Sequence, residues 1–357
     1  MISRVTCLIA VLTALARLGV AVAAADTNSV PILRARAVTQ RVELDGVLND
    51  SVWQGVAAAS GFTQREPRAG QPATEDTEVR IVYTPSHLYV GIKALDAEPR
   101  EVVARGMLRD APTGLDDSVA IIFDTFNDRR NGYLFATNAN GVRTDVLISD
   151  EGDGYNQEWN GVWRAEARRT EEGWTAELEI PFSTLRFSSE QDTWGMNIRR
   201  MVRRKGEESY WSPVPLEADL NRVSLAGRLA GMEGMSPGLN LRVKPFAVGR
   251  ESVAAGRGNG RFGDPETGLD VKWGVGRGLS LDLTVNTDFA ESEADEQQVN
   301  LTRFSLFRPE KREFFLENAG IFEFGPRSAF GTPVLRPFFS RRIGLTEDGE
   351  SVPIEWG

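Results

Sequence analysis

"TEVRIVYTPSHLYVGIKALD", residues 77–96, is the stretch whose pattern decides the fold. Val79, Ile81 and Tyr83 fall on one side of an extended chain, and after Pro85-Ser86-His87 the residues Leu88, Val90 and Ile92 do the same. A period of two on both sides of a turn marks a β-hairpin, because successive side chains of a strand point to opposite faces. The theme repeats along the chain in "DDSVAIIFDTF" (116–126), "NGYLFATNANGVRTDVLIS" (131–149), "GVWRAEARRTEEGWTAELEIPF" (161–182) and "WGMNIRRMVRR" (194–204), with turns at Asn140-Gly141 and Glu172-Gly173. Only "NDSVWQGVAAAS" (49–60) and "PFSTLRF" (181–187) read as short helical turns. Many strands and few helices across residues 32–231 predict an all-β chain with an antiparallel β-sandwich.

After Ser236-Pro237-Gly238 the texture changes. "LNLRVKPFAVGR" (239–250) and "TGLDVKWGVGRGLSLDLTVNTDF" (267–289) are longer alternating segments joined by Gly-rich turns. Leu269, Val271, Trp273 and Val275 alternate with Asp270, Lys272 and Gly274; Leu279, Leu281, Leu283 and Val285 alternate with Ser280, Asp282 and Thr284. The alternation lasts for about the ten residues that a tilted membrane strand needs. A soluble antiparallel sheet produces the same pattern, so both readings stand at this point.

The N-terminus, "MISRVTCLIAVLTALARLGVAVAAADTNS" (1–29), has a basic start at Arg4, an apolar run and small-residue sites near Ala23 and Ala25. This predicts a secretory signal peptide over residues 1–25 and no membrane-spanning helix, since Arg17 interrupts the run. Cys7 is the only cysteine, so loss of the leader leaves no disulfide and no cysteine chemistry. His87 is the only histidine; a His-rich metal site is excluded, and a Ser-His-Asp apparatus would have to use a residue placed in a solvated turn. The net charge of −10, with 41 basic and 51 acidic residues, argues against nucleic acid as a partner, because phosphate neutralisation needs the opposite balance.

"VELDGVLNDSVWQGV" (42–56) resembles the opening of the carbohydrate-binding module family 9 domains, with Asp45, Gly46, Asn49, Asp50 and Trp53 at the signature positions. Asp45-Gly46 suits the turn out of a strand, and Trp53 is expected to cap one end of the sandwich core. The resemblance continues through residues 77–96, "DDSVAIIFDTF", "GWTAELEIPFSTL" and "WGMNIRR", and spans essentially residues 32–231 in order. A second part is similar to the uncharacterised domain that commonly follows this module in Gram-negative envelope proteins. Its marks are "TVNTDFAESEADEQQVNLTRF" (284–304), "FRPEKREFFLENAGIFEFG" (307–325) and "FFSRRIG" (338–344). The resemblance implies a signal peptide at 1–25, a family 9-like sandwich at 32–237, and at 238–357 the first part of a β-barrel in the outer membrane. Residues 306–325, rich in Phe and in charge, are expected to pack against the rim or inside of that barrel.

The implied function is a non-catalytic, exported polysaccharide-binding module serving carbohydrate catabolism. Sugar recognition rests on aromatic faces with polar groups fixing the hydroxyls. Trp163, Trp174 and Trp194 lie in alternating strands and read as core, which leaves Trp159, after the polar loop "SDEGDGYNQE" (149–158), and Trp211 as the candidates. The sequence departs from the family pattern where a stacking tryptophan stands before the Asp-Ser-Val strand: Gly114 and Leu115 occupy that place, and Ala136 falls where an arginine is expected. Asp116, Asp117 and Asp124 bracket "DDSVAIIFD" and are candidate ligands for a structural calcium, a hard cation that takes oxygen donors; turn capping by the same side chains is the other reading. Two further functions stay open: an envelope glycoside hydrolase, for which no carboxylate pair is singled out, and a docking domain for the barrel. "NIRRMVRRKGEE" (197–208) offers five basic residues near a hairpin tip, either as an anionic-glycan contact or as a solvated face.

Overall fold

The computed structural model describes residues 30–157, 159–188, 190–236, 238, 241–248, 251–252, 261–262, 266–275, 279–286, 324–327, 333–335, 340, 343 and 356–357. The expected signal peptide at 1–25 and nearly all of residues 306–325 lie outside them. The strands begin with β1 (Ile32–Arg34), β2 (Arg36–Ala37), β3 (Ala58–Ala59), β4 (Thr63–Glu66), β5 (Thr77–Tyr83) and β6 (His87–Leu95). They continue with β7 (Ser118–Asp124), β8 (Gly132–Asn138), β9 (Thr144–Ser149), β10 (Gly154–Asn156), β11 (Arg164–Thr170) and β12 (Gly173–Pro181). After them come β13 (Thr193–Val202), β14 (Glu207–Tyr210) and β15 (Gly227–Ala230). Among the described residues two open sheets form the sandwich: β1-β15-β13-β7-β8-β9-β10, with β14 and β4 attached to β13, and β11-β12-β6-β5-β2, with β3 beside β5. The hairpin read from residues 77–96 is β5–β6, with Val79 opposite Ile92 and Ile81 opposite Val90. Most pairs are antiparallel, but β1 runs parallel to β15 and β2 parallel to β5, so the N-terminal segment stitches one edge of each sheet.

The inner faces meet in one core. Val79, Ile81, Leu88, Val90 and Ile92 from one sheet pack with Val119, Ile121, Phe123, Phe135, Met196 and Ile198 from the other. Trp163, Trp174 and Trp194 are fully buried there, as their alternation predicts. Both outer faces are covered too. Ala120, Ile122, Leu134, Val146 and Ile148 lie under residues 213–226, through Val214, Leu220 and Val223. That second cover is why β7 is buried at every position and reads as the continuous apolar run "SVAIIF".

Trp53 corrects an expectation. It does not cap the sandwich end; it lies over the outer face of the β5–β6 sheet, in a separate cluster with Val42, Val56, Val82 and Tyr89. Gly91 leaves the room: a Cβ there would come within 2.9 Å of Leu48 and 3.0 Å of Trp53. The Glu177 carboxylate, on β12, takes the indole N–H of Trp53 at 2.9 Å and the amides of Asp45 and Gly46 at 3.0 Å each. Gly46 has φ +79°, and a Cβ would stand 2.9 Å from the backbone of Ala167, so only glycine suits this turn. The Asp-Gly-…-Trp signature thus serves the fold: it fastens residues 42–56 to a sheet through one buried carboxylate.

Beyond the sandwich, β16 (Leu241–Val248), β17 (Glu251–Ser252), β18 (Arg261–Phe262), β19 (Glu266–Val275), β20 (Leu279–Val285), β21 (Phe324–Arg327) and β22 (Pro333–Leu335) are described. β16, β19 and β20 form an antiparallel sheet whose faces differ sharply in chemistry. Across the strands Arg242 stands opposite Lys272 and Lys272 opposite Asp282, and Lys244, Asp270 and Thr284 align in the next row. The alternate rows are Leu241, Trp273, Leu281 and Val243, Val271, Leu283. Leu241, Val243, Trp273, Leu281, Leu283 and Val285 are all exposed. No helix of the described residues is long and apolar enough to cross a membrane.

Candidate functional site

Loop 103–117 joins β6 to β7 and is closed at its neck by two hydrogen bonds. Asp117 N donates to the Val103 carbonyl, and Val103 N donates to Asp117 Oδ2, both at 2.7 Å. Inside the loop the Asp116 carboxylate accepts the amides of Arg105 and Gly106 at 2.9 Å and the Asn138 side chain at 2.8 Å. The Asn138 and Asn140 side-chain amides donate to the carbonyls of Gly106 and Ala104. Farther along, Asp110 N donates to the Arg143 carbonyl, and Thr144 Oγ1 to that of Ala111. Nearly every turn of this loop is therefore tied to β7 or to the β8–β9 hairpin.

Arg109 anchors the outer part. Its Nη2 donates to Asp145 Oδ1 at 2.5 Å and to the Gly161 carbonyl at 3.1 Å. Asp145 also accepts Trp163 Nε1 at 3.0 Å and Gly161 N at 2.5 Å. Burial pushes the Asp145 carboxyl above the usual aspartate range, and the bonds from Trp163 and Gly161 and the charge of Arg109 only partly oppose it.

What this fixed backbone presents is apolar. Met107 is 81% exposed, Leu108 79% and Leu115 58%. The exposed Arg105 and Asp110 flank them. Large apolar side chains on a rigid loop, rimmed by a guanidinium and a carboxylate, can hold a ligand with an aliphatic face and hydroxyl edges. Gly114 and Leu115 stand where the family resemblance expects a stacking tryptophan.

The sequence-chosen tryptophans lie elsewhere. Trp211 is 6% exposed and belongs to the core, packed over Gly227, so it has no ring face to offer a ligand. Trp159 is half-buried, against Tyr133 at 5.2 Å and Phe135 at 6.0 Å between ring centres. Trp211 is corrected to a packing role, whereas Trp159 packs one side on the core and keeps part of its ring at the surface. The signal for Met107 and Leu108 was an apolar pair inside a turn-rich segment without period.

Asp116, Asp117 and Asp124 do not come together. Asp117 and Asp124 sit at the two ends of β7, about 23 Å apart at a strand rise of roughly 3.3 Å per residue. Asp124 caps its own turn, accepting the amides of Asp128 and Arg129, while Asp116 and Asp117 hold loop amides. Among the described residues no group of three or more acidic, His or Cys side chains is placed to hold a metal ion. These carboxylates do not fit a calcium site, and turn capping accounts for them. The basic stretch at 197–208 is drawn inward as well: Arg199 faces Glu208, Arg204 pairs with Glu75 and Asp96, and Lys205 with Glu75.

Residues 44–209 match the family described as carbohydrate family 9 binding domain-like, and residues 237–353 match a domain of unknown function, DUF5916. The part of the chain that forms the sandwich is thus similar in sequence to the carbohydrate family 9 binding domains. Solved structures similar to the chain include a carbohydrate binding module family 9 from Caldicellulosiruptor kristjanssonii in complex with cellotriose. It is 15% identical, with a TM-score of 0.42, covering 58% of this chain and 95% of that one. The glucose complex of a family 9 module from the same organism is 14% identical, with a TM-score of 0.42, covering 56% and 95%. No curated protein matches the chain.

Proposed function

We propose that the sandwich is an exported, non-catalytic polysaccharide-binding module that engages its ligand at loop 103–117, and that it is attached to an outer-membrane β-barrel to which β16, β19 and β20 belong. The carrying observation is the exposed trio Met107, Leu108 and Leu115 on a loop whose backbone is tied down at both ends. Such a surface binds with little ordering cost, because the loop is already fixed. Aliphatic carbon in place of an aromatic ring suits the apolar face of a sugar less tightly than stacking would, so affinity rests on repeated sugars of a chain. The membrane part of the reading is supported by the sheet with one charged and one exposed apolar face.

Affinity electrophoresis of the full chain through gels holding soluble xylan, mixed-linkage glucan or lipopolysaccharide tests the binding. Retention is expected on a glycan, and the triple variant Met107→Ala, Leu108→Ala, Leu115→Ala should weaken it roughly tenfold, equivalent to about 1.4 kcal/mol. Retention unchanged in that variant would move the site elsewhere, and no retention on any of these polymers would overturn the binding function.

A further inference from the structure

Arg200, on β13, is fully buried, and its guanidinium makes no hydrogen bond through Nε, Nη1 or Nη2. It lies over the Trp174 ring, 5.1 Å from the ring centre, and its Nη2 is 3.6 Å from Asp117 Oδ1. Taking a charge out of water is costly, and a well-packed apolar side chain would fill the same space with less penalty. What the charge supplies here is orientation. Asp117 has one oxygen, Oδ1, turned to Arg200 and the other, Oδ2, holding the Val103 amide, while its own N–H closes the second bond of the loop neck. Val102, next to the neck, is held from the other sheet by Arg169 Nη1 at 2.9 Å.

Around this pair the sandwich end is a charged layer. Glu75 and Asp96 bind Arg204, Glu75 binds Lys205, and Glu207 holds the amide and hydroxyl of Thr74. The Asp96 Oδ2 atom is buried without a hydrogen-bond partner, as is Asp117 Oδ1. None of these groups touches the exposed trio, yet the layer meets loop 103–117 through Asp117.

We propose that Arg200 is a positioning residue for the ligand loop: from inside the core it fixes the rotamer of Asp117, and Asp117 fixes the neck on which Met107, Leu108 and Leu115 are displayed. The inference rests on the loop being the ligand site, but its mechanical half stands apart from any glycan. Charge–charge attraction at this separation acts strongly in a dry interior, so losing it frees the carboxylate to turn. Once turned, it can no longer hold the Val103 amide.

Amide hydrogen exchange on the full chain, wild type against Arg200→Met, reads the mechanical half. Exchange of Val103, Arg105 and Gly106 should rise at least roughly tenfold, while Val90 and Ile92 in the β5–β6 hairpin stay protected. Affinity for whichever of xylan or mixed-linkage glucan retains the wild type should fall several-fold in the same variant. If Arg200→Met does not fold, Arg200→Gln decides: an uncharged side chain that keeps a polar end should raise exchange at the same three amides and nowhere else. Unchanged exchange at these amides in a folded variant overturns the proposal. Faster exchange in a protein that binds neither polymer upholds the coupling of Arg200 to the loop and sinks the glycan reading alone.

Discussion

In Glu177→Gln one carboxylate oxygen becomes an NH2 group, and either orientation points a donor at a donor. One side of the carboxylate faces the Trp53 indole, the other the amides of Asp45 and Gly46. The substitution should lower stability by about 1–3 kcal/mol, the cost of leaving buried donors unmatched, and a denaturant titration of the full chain will show it. Asp145 gives a pH-dependent counterpart. Desolvation raises its pKa in the folded chain, so its contribution to stability is full below the unfolded aspartate pKa and is lost as pH rises through the folded value. Asp145→Asn removes that dependence. The stability difference between wild type and variant should therefore be largest at acid pH and shrink towards neutrality. A difference that grows with pH would show that Arg109 and the two N–H donors outweigh burial.

Loop 103–117 and the neighbouring hairpin act as a unit, since bonds from Asn138 to Asp116 and Gly106, from Asn140 to Ala104 and from Thr144 to Ala111 cross between them. An exposed side chain can be exchanged on such a frame without moving the backbone. Leu115→Trp should raise retention on soluble glycan by roughly fivefold, because an aromatic face adds on the order of 1 kcal/mol over aliphatic contact. Gel retention measures it, and a gain confined to Leu115→Trp, absent when tryptophan is placed at the exposed Leu216 outside the loop, would tie the effect to this loop. The sheet β16-β19-β20 has a different logic. Its charged rows pair internally, with Lys272 3.5 Å from Asp282 and Thr284 bonded to Asp270. Burial lowers the Lys272 pKa to about 8. The apolar rows have no comparable internal partners to satisfy: they only need a surface that excludes water.

For the molecule as a whole this division of faces makes a test of membrane attachment. If the proposed barrel holds, the chain expressed with residues 1–29 intact should stay with the outer-membrane fraction through carbonate and high salt and be released by detergent. Leu283→Arg, on the apolar face, should weaken insertion by about 2–4 kcal/mol if it lies at mid-membrane depth, whereas Thr284→Arg on the opposite face should be far milder. Release of the wild type by carbonate alone would remove the barrel from the reading. How much of this was legible beforehand follows from the range of each signal. Strand periodicity and turn chemistry are local: β5–β6, the buried Trp163, Trp174 and Trp194, and the alternation of residues 241–285 could be read directly, since a backbone period of two needs no partner to be visible. Whether an individual side chain is buried depends on what lies across from it, often a hundred residues away. Trp211 is core because Gly227 makes room for it, and Trp53 sits outside the main core because Glu177 draws it there. Asp117 grips a loop and faces a buried arginine, neither of which its neighbours in sequence announce. The sequence by itself determined the strands and the sandwich; only the tertiary structure decided which residues face the solvent with chemistry to spare, because exposure is set by the second sheet and the covering segments, not by the strand itself.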